Sequence, residues 1–278
     1  MHLNLSHDTL ICNGKIKITG SKSETNRLLF LQSLFPNFKI QNKSNSDDSS
    51  VMQAALKSTS DFIDINHAGT AMRFLTSYFS QLEGREVILT GSERMQQRPI
   101  KILVDALRSL GASIEYEKKQ GYPPLRIKGK KLDGGTISLP ADISSQYISS
   151  LIMLGAVLKA GIELNLKGTI TSMPYINMTL DLLKRLGIKT EFKGHRILVK
   201  NTSKSKNTIQ VVESDWSSAS YFFSIAALSD KAKIYLSNYK SNSLQGDSIL
   251  RIIYLSLIHI SEPTRPERIG GGGGGGGK

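Results

Sequence analysis

The chain of 278 residues carries 36 Lys and Arg against 23 Asp and Glu, giving a net charge of +13 and a pI near 9.7. Its 39% hydrophobic and 21% charged residues are ordinary for a soluble globular protein, and the length provides for one large or two ordinary domains. One cysteine, Cys12, excludes an intrachain disulfide and a thiolate metal cluster, and no apolar run approaches a membrane span.

The first residues lack the charged-then-apolar pattern of a secretory signal, so a cytoplasmic protein is expected. The basic balance calls for an anionic partner or, more plainly, for a lysine-rich solubilising surface. Basic residues are spread along the chain and aromatics make up 7%, with no stacking motif among them, which disfavours nucleic acid.

The first helix start is GSKSETNR (20–27), ahead of the apolar run LLFLQSL. Unpaired N–H groups and the helix dipole favour an anion there; Lys22 adds a mobile charge, Ser23 a hydroxyl and Arg27 a bidentate fork. A serine cap beside two solvated cations is the plainer reading of the same residues. The second start, NHAGTAMR (66–73), offers Gly69 for close backbone approach, Thr70 as a cap and Arg73 one turn in. A glycine required only by a tight turn is its alternative.

VILTG (87–91) then reads as a strand, and ERMQQRP (93–99) sets Arg98 directly before another helix as a candidate anion clamp. The third start, Ser144-Ser145-Gln146, presents two hydroxyls and an amide without charge, suited to ring hydroxyls or phosphate oxygens. LNLKG (164–168) is a further strand, after which Ser172, Pro174 and Tyr175 open the next helix. Beyond Ser256 the text runs through SLIHISEPTRPERIG into eight glycines and Lys278. Periodicity ends by Ile260 and polyglycine buries nothing, so 256–278 is expected to be a non-native tail resembling a translated sequencing adapter, with a natural linker as the alternative.

These elements repeat. LVDALRSLGASIE from Leu103 lies over TLDLLKRLGIKTE from Thr179, 76 positions later, each an amphipathic helix closed by a glycine and followed by a strand. Upstream, VILTG lies over LNLKG and AGTAMRFL over SSQYISSL, with weaker copies from Ser21 and Ser217. The unit of helix, strand, helix and strands implies layered α/β packing that brings equivalent helix starts to one side.

GSKSETNR, NHAGTAMRFLT, ERMQQRPIKILVDALRSLGA, SSQYISS, SMPYINMTLDLLKRLG, VESDWSSASYFFSIAAL and SLQGDSIL together resemble, in order, the motifs of the EPSP synthase family over about residues 8–250. The resemblance implies an enolpyruvyl transferase-type two-domain α/β fold of repeated βαβαββ units, with only one domain complete. Residues 1–19 would be a first-domain segment, 20–236 the complete second domain, and 237–255 a return into the truncated first domain.

It further implies transfer of the enolpyruvyl group of phosphoenolpyruvate to shikimate-3-phosphate by a monomer, with no metal or organic cofactor and no nucleic-acid or membrane partner. By the same resemblance, Lys22, Ser23 and Arg27 hold shikimate-3-phosphate, with Lys22 also catalytic and facing phosphoenolpyruvate. Ser144, Ser145, Gln146, Ser172 and Tyr175 complete that pocket, Gln146 reaching the second substrate too. Gly69 and Arg98 contact phosphoenolpyruvate, and at this glycine glyphosate competes in the family. His67 replaces the asparagine more usual before Ala-Gly-Thr, and Trp216 stands where a small residue is commoner, which suggests packing.

The family's acid and base come from a C-terminal part that is absent here, so the polypeptide as written is expected to be inactive. The alternatives are a relative of the UDP-N-acetylglucosamine enolpyruvyl transferase and a non-catalytic phosphate- or RNA-binding remnant. The first lacks support because no reactive-cysteine loop is present: Cys12 lies near the N-terminal strand.

Overall fold

A computed structural model of the protein describes residues 10–260. The expected tail therefore lies outside the described residues, apart from 256–260, which continue the last helix.

Two units share one topology. In the first, β3 (Phe62–Asp64), α3 (Gly69–Gln81), β4 (Glu86–Thr90), a four-residue turn α4 (Glu93–Gln96), α5 (Lys101–Ser109), β5 (Ser113–Tyr116) and β6 (Leu125–Lys128) follow in order. The second has β7 (Gly135–Pro140), α6 (Ser145–Gly155), β8 (Ile162–Lys167), α7 (Met173–Arg185), β9 (Thr190–Lys193) and β10 (Arg196–Val199). Their sheets run β3-β4-β6-β5 and β7-β8-β10-β9. In each, the first pair is parallel and the last strand inserts antiparallel between the second and third. Each unit is thus βαβαββ. The glycines closing α5 and α7, Gly111 (φ +96°) and Gly187 (φ +83°), occupy the left-handed region that ends a helix.

A third unit is closed by distant chain. α1 (Lys22–Leu34), β2 (Lys39–Gln41) and α2 (Asp47–Lys57) receive β11 (Ile209–Val211), which pairs parallel with β2 as β3 does with β4. The apolar faces of these helices and sheets bury one continuous cluster from Leu28 to Val212, with Phe30, Phe74 and Phe79 among its largest members. Truncating a leucine inside it, such as Leu107, costs about 2–5 kcal/mol through the lost contacts and the cavity left.

Beyond Ser214 the chain changes partner. α8 (Trp216–Leu228) leads into β12 (Lys231–Leu236), which pairs parallel with β1 (Ile11–Ile16), the strand that holds Cys12. Trp216, Ala219 and Ile18 form a separate small cluster there. The sequence reading grouped residues up to 236 with the larger unit. In the structure α8 and β12 group with β1 instead, because the buried Trp216 and Ala219 of α8 and the half-buried Leu236 of β12 pack with Ile18 and Ile16. A 3-10 turn (Gly246–Ile249) and α9 (Leu250–Ile260) follow.

Candidate active site at converging helix starts

The N-terminal turns of α1, α3, α6 and α7 meet. Ser21 caps α1, its hydroxyl accepting from the Glu24 N–H, which leaves Lys22 exposed and Ser23 half-buried on the first turn. Arg27 is only 2% exposed. Its Nε donates to Thr179 Oγ1 at 2.8 Å, Nη2 to Ser149 Oγ at 2.9 Å and Nη1 to the Ser23 carbonyl at 2.8 Å, so one guanidinium joins α1, α6 and α7. Its carbon lies 5.6 Å from the ring centres of both Phe74 and Tyr175. Burial lowers its pKa to about 10, so it is charged at neutral pH. Among the described residues no carboxylate pairs with it within salt-bridge distance, a buried cation held by neutral oxygens alone.

Gly69 begins α3. A Cβ built on it would lie 2.4 Å from Arg98 Nη1 and 3.0 Å from Arg73 Nη1, so only glycine lets both guanidinium groups close on this turn undisturbed. Arg73 is buried and donates to the Gly69 carbonyl at 2.8 Å; burial and the neighbouring Arg98 both lower its pKa. Thr70, expected to cap this helix, does not: the N-cap is Ala68, without a side-chain cap. Starting the helix at Gly69 puts the threonine inside the first turn, where its hydroxyl accepts from Gln146 Nε2 at 3.1 Å.

That bond ties α3 to α6, whose own start is capped by Ser144 with Ser145 buried behind it. One residue on, Tyr147 donates its hydroxyl to the Pro99 carbonyl at 2.6 Å and so fixes the segment carrying Arg98. Arg98 is exposed and, with His67, Ser92, Arg94 and Met95, lines an open pocket of about 500 Å³. At α7, Ser172 is the N-cap residue without a side-chain cap bond, and Tyr175 is 40% exposed above Arg27.

The structure therefore brings together Ser23, Arg27 and Tyr175 on one side and Gly69, Arg98 and Gln146 on the other, with α6 bridging them through Ser149 and Gln146. Lys22, Ser145 and the Ser172 hydroxyl stand at helix starts without a side-chain hydrogen bond to another candidate among the described residues. Ser149 and Thr179 belong to the cluster but were not among the expected site residues, whereas Arg73 stood in the second helix start. Thr179 did leave a signal, since it occupies the repeat position held by Leu103 in the other copy.

The family model described as EPSP synthase (3-phosphoshikimate 1-carboxyvinyltransferase) matches residues 53–259. The chain belongs to the EPSP synthase family. The 3-phosphoshikimate 1-carboxyvinyltransferase of Bacteroides fragilis (strain YCH46) is 49% identical over 234 residues, covering 84% of this chain and 57% of that protein. The protein of the same description from Actinobacillus pleuropneumoniae serotype 5b (strain L20) is 37% identical over 268 residues, covering 85% and 61%. The solved EPSP synthase from Acinetobacter baumannii shares the fold at a TM-score of 0.69, with 22% identity over 83% of this chain and 56% of that one. The chain thus spans a little over half the length of these EPSP synthases. Trp216 is 4% exposed, stacks near Phe223 and donates Nε1–H to Glu213 at 2.8 Å, which gives it the packing role expected from its position among EPSP synthase motifs.

Proposed function

We propose that the protein binds shikimate-3-phosphate and phosphoenolpyruvate at the converging helix starts, in service of enolpyruvyl transfer from the second to the first. The carrying observation is Arg27: a fully charged, buried guanidinium with only neutral partners, at the meeting of three helices whose free N–H groups favour an anion. In the reaction the enol methylene carbon takes up a proton, and a ring hydroxyl of shikimate-3-phosphate adds to the neighbouring carbon and gives up its own proton. The new methyl group then loses a proton as phosphate leaves and the enol ether forms. Two phosphorylated anions repel each other, so the site must supply cations before chemistry can begin. Arg27 and Lys22 serve the shikimate phosphate with Ser23, Ser144, Ser145, Ser172 and Tyr175; Arg98 beside the Gly69 turn, with Gln146, serves phosphoenolpyruvate. Lys22, which also faces phosphoenolpyruvate, is the catalytic member of this set; none of the set is a carboxylate, and the carboxylate acid–base pair the reaction needs lies outside it.

A cytoplasmic monomer without nucleic-acid or membrane partners is part of the same reading. Calorimetric titration of the chain with shikimate-3-phosphate, repeated with a short RNA as competitor, tests the proposal. Saturable one-to-one binding that RNA does not displace supports it; RNA binding that excludes shikimate-3-phosphate would favour a phosphate- or RNA-binding remnant.

A further inference from the structure

A second pocket, of about 210 Å³, lies between α1 and α2, and none of its lining residues belongs to the site described above. Its volume falls below the roughly 300 Å³ at which pockets begin to take drug-sized molecules, so it suits a small ion or metabolite. On the α2 side, Lys43 Nζ donates to Gln53 Oε1 at 2.7 Å, which leaves two ammonium protons and both Gln53 Nε2 protons without acceptors among the described residues. Lys57 follows one turn along the helix, and Ser50, one turn before Gln53, carries a hydroxyl without a protein partner among the described residues. No described carboxylate lines the pocket or lies within ion-pair distance of either lysine; Asp47 and Asp48, in the first turn of α2, stand outside it.

The α1 side adds donors of its own. Thr25 is fully buried; its hydroxyl accepts from the Ser44 N–H at 2.9 Å, and no described acceptor takes its proton. Asn26, also fully buried, gives its carbonyl oxygen to Ser49 of the same wall and leaves Nδ2 without a partner. Buried donors are rarely left unpaired, and here two of them adjoin a pocket whose cations have no counter-ion.

We propose that this pocket is a second anion site, taking a small phosphate-bearing molecule. Lys43 and Lys57 supply the charge, and the Ser50 hydroxyl and Gln53 amide supply directed hydrogen bonds. An anion between the two ammonium groups removes their mutual repulsion and completes the bonding of the donors around it. The site does not depend on what binds at the helix starts, although its far wall is α1, the helix that carries Lys22, Ser23 and Arg27.

The test is an NMR titration of the isotopically labelled 278-residue chain with inorganic phosphate and, separately, with glycerol 3-phosphate, at constant chloride. Amides at 43–44, 50, 53 and 57 are expected to shift along one saturable curve, apart from that of 21–23 and 69–70. Replacing both lysines, Lys43→Gln with Lys57→Gln, should weaken this curve about tenfold or more and leave the helix-start curve within twofold. Ser50→Asp places a carboxylate in the pocket and should abolish the curve, while an acidic residue near the start of α2 suits the helix. All three side chains are exposed, so neither loss would reflect a damaged core. A curve at least as tight for inorganic phosphate supports free phosphate as the ligand; a tighter one for glycerol 3-phosphate supports a phosphate monoester. Shifts that are absent or fail to saturate, or a curve unmoved by the lysine replacements, would overturn the proposal. So would loss of this curve in Arg27→Met, which would make it an echo of the first site.

Discussion

At the scale of single residues, the site depends on what glycine omits and what arginine cannot shed. Gly69→Ala would place a methyl group 2.4 Å from Arg98 Nη1. That contact is with the far end of a flexible side chain, so the fold should hold while Arg98 swings away. The expected result is phosphoenolpyruvate affinity lowered about tenfold, as for one lost charge-assisted hydrogen bond, with an unchanged urea midpoint. Arg27→Met removes the charge but keeps much of the volume. Thr179 and Ser149 stay bonded to each other at 3.0 Å, so the stability loss should be only about 1–3 kcal/mol, while shikimate-3-phosphate binding disappears. Denaturant melts and calorimetry on the same preparation separate the two effects. Arg27, Gly69 and Arg98 were legible in the sequence because they stand in motifs at helix starts. Ser149 was not, and Thr179 only as the polar residue at the repeat position of Leu103, since a lone hydroxyl inside an apolar helix looks the same whether it bonds its own turn or a distant guanidinium.

At the scale of elements, the crossing between the two parts of the fold is built on buried carboxylates. The Glu213 carboxylate accepts from Trp216 Nε1, from the Lys240 N–H at 3.0 Å and from Ser243 Oγ at 2.8 Å, while the Glu213 carbonyl accepts from the Ser21 N–H. Glu24, inside α1, accepts from the Glu213 N–H and meets Arg185 at 3.4 Å. The helix that presents Lys22 is thus fastened to the return of the chain. Burial raises the Glu24 pKa above its ordinary value, although Lys240, the Glu213 N–H and Arg185 pull the other way. A raised carboxyl favours the folded state most when protonated: its contribution is complete below the unfolded value of about 4.5 and is lost as pH rises through the folded value. Glu24→Gln cannot titrate. Urea midpoints from pH 4 to 8 should show the variant gaining on the parent as pH rises, and a constant difference across that range would count against this account.

At the scale of the whole molecule, the repeat found by laying residue 103 over 179 reappears as two four-stranded sheets of identical order. Helix positions followed from capping residues and apolar spacing, which are local signals. Two features were hidden because they join distant chain: the insertion of β6 and β10 into the middle of their sheets, and the parallel pairing of Ile209 with Lys39. The assignment of α8 and β12 to the strand at Ile11 was hidden for the same reason. Convergence of the helix starts was expected from the repeat alone, but it is made by specific bonds, Gln146 to Thr70 and Arg27 to Ser149 and Thr179. The central claim is that these starts form one ligand site. It is tested most directly by following the backbone amides of the isotopically labelled chain by NMR during titration with shikimate-3-phosphate. The account predicts that amides at 21–23, 144–146, 172–173 and 175 shift together along one saturable curve, with those at 69–70 responding when phosphoenolpyruvate is added. Shifts confined to a single helix start, or scattered over the lysine-rich surface without saturation, would contradict it.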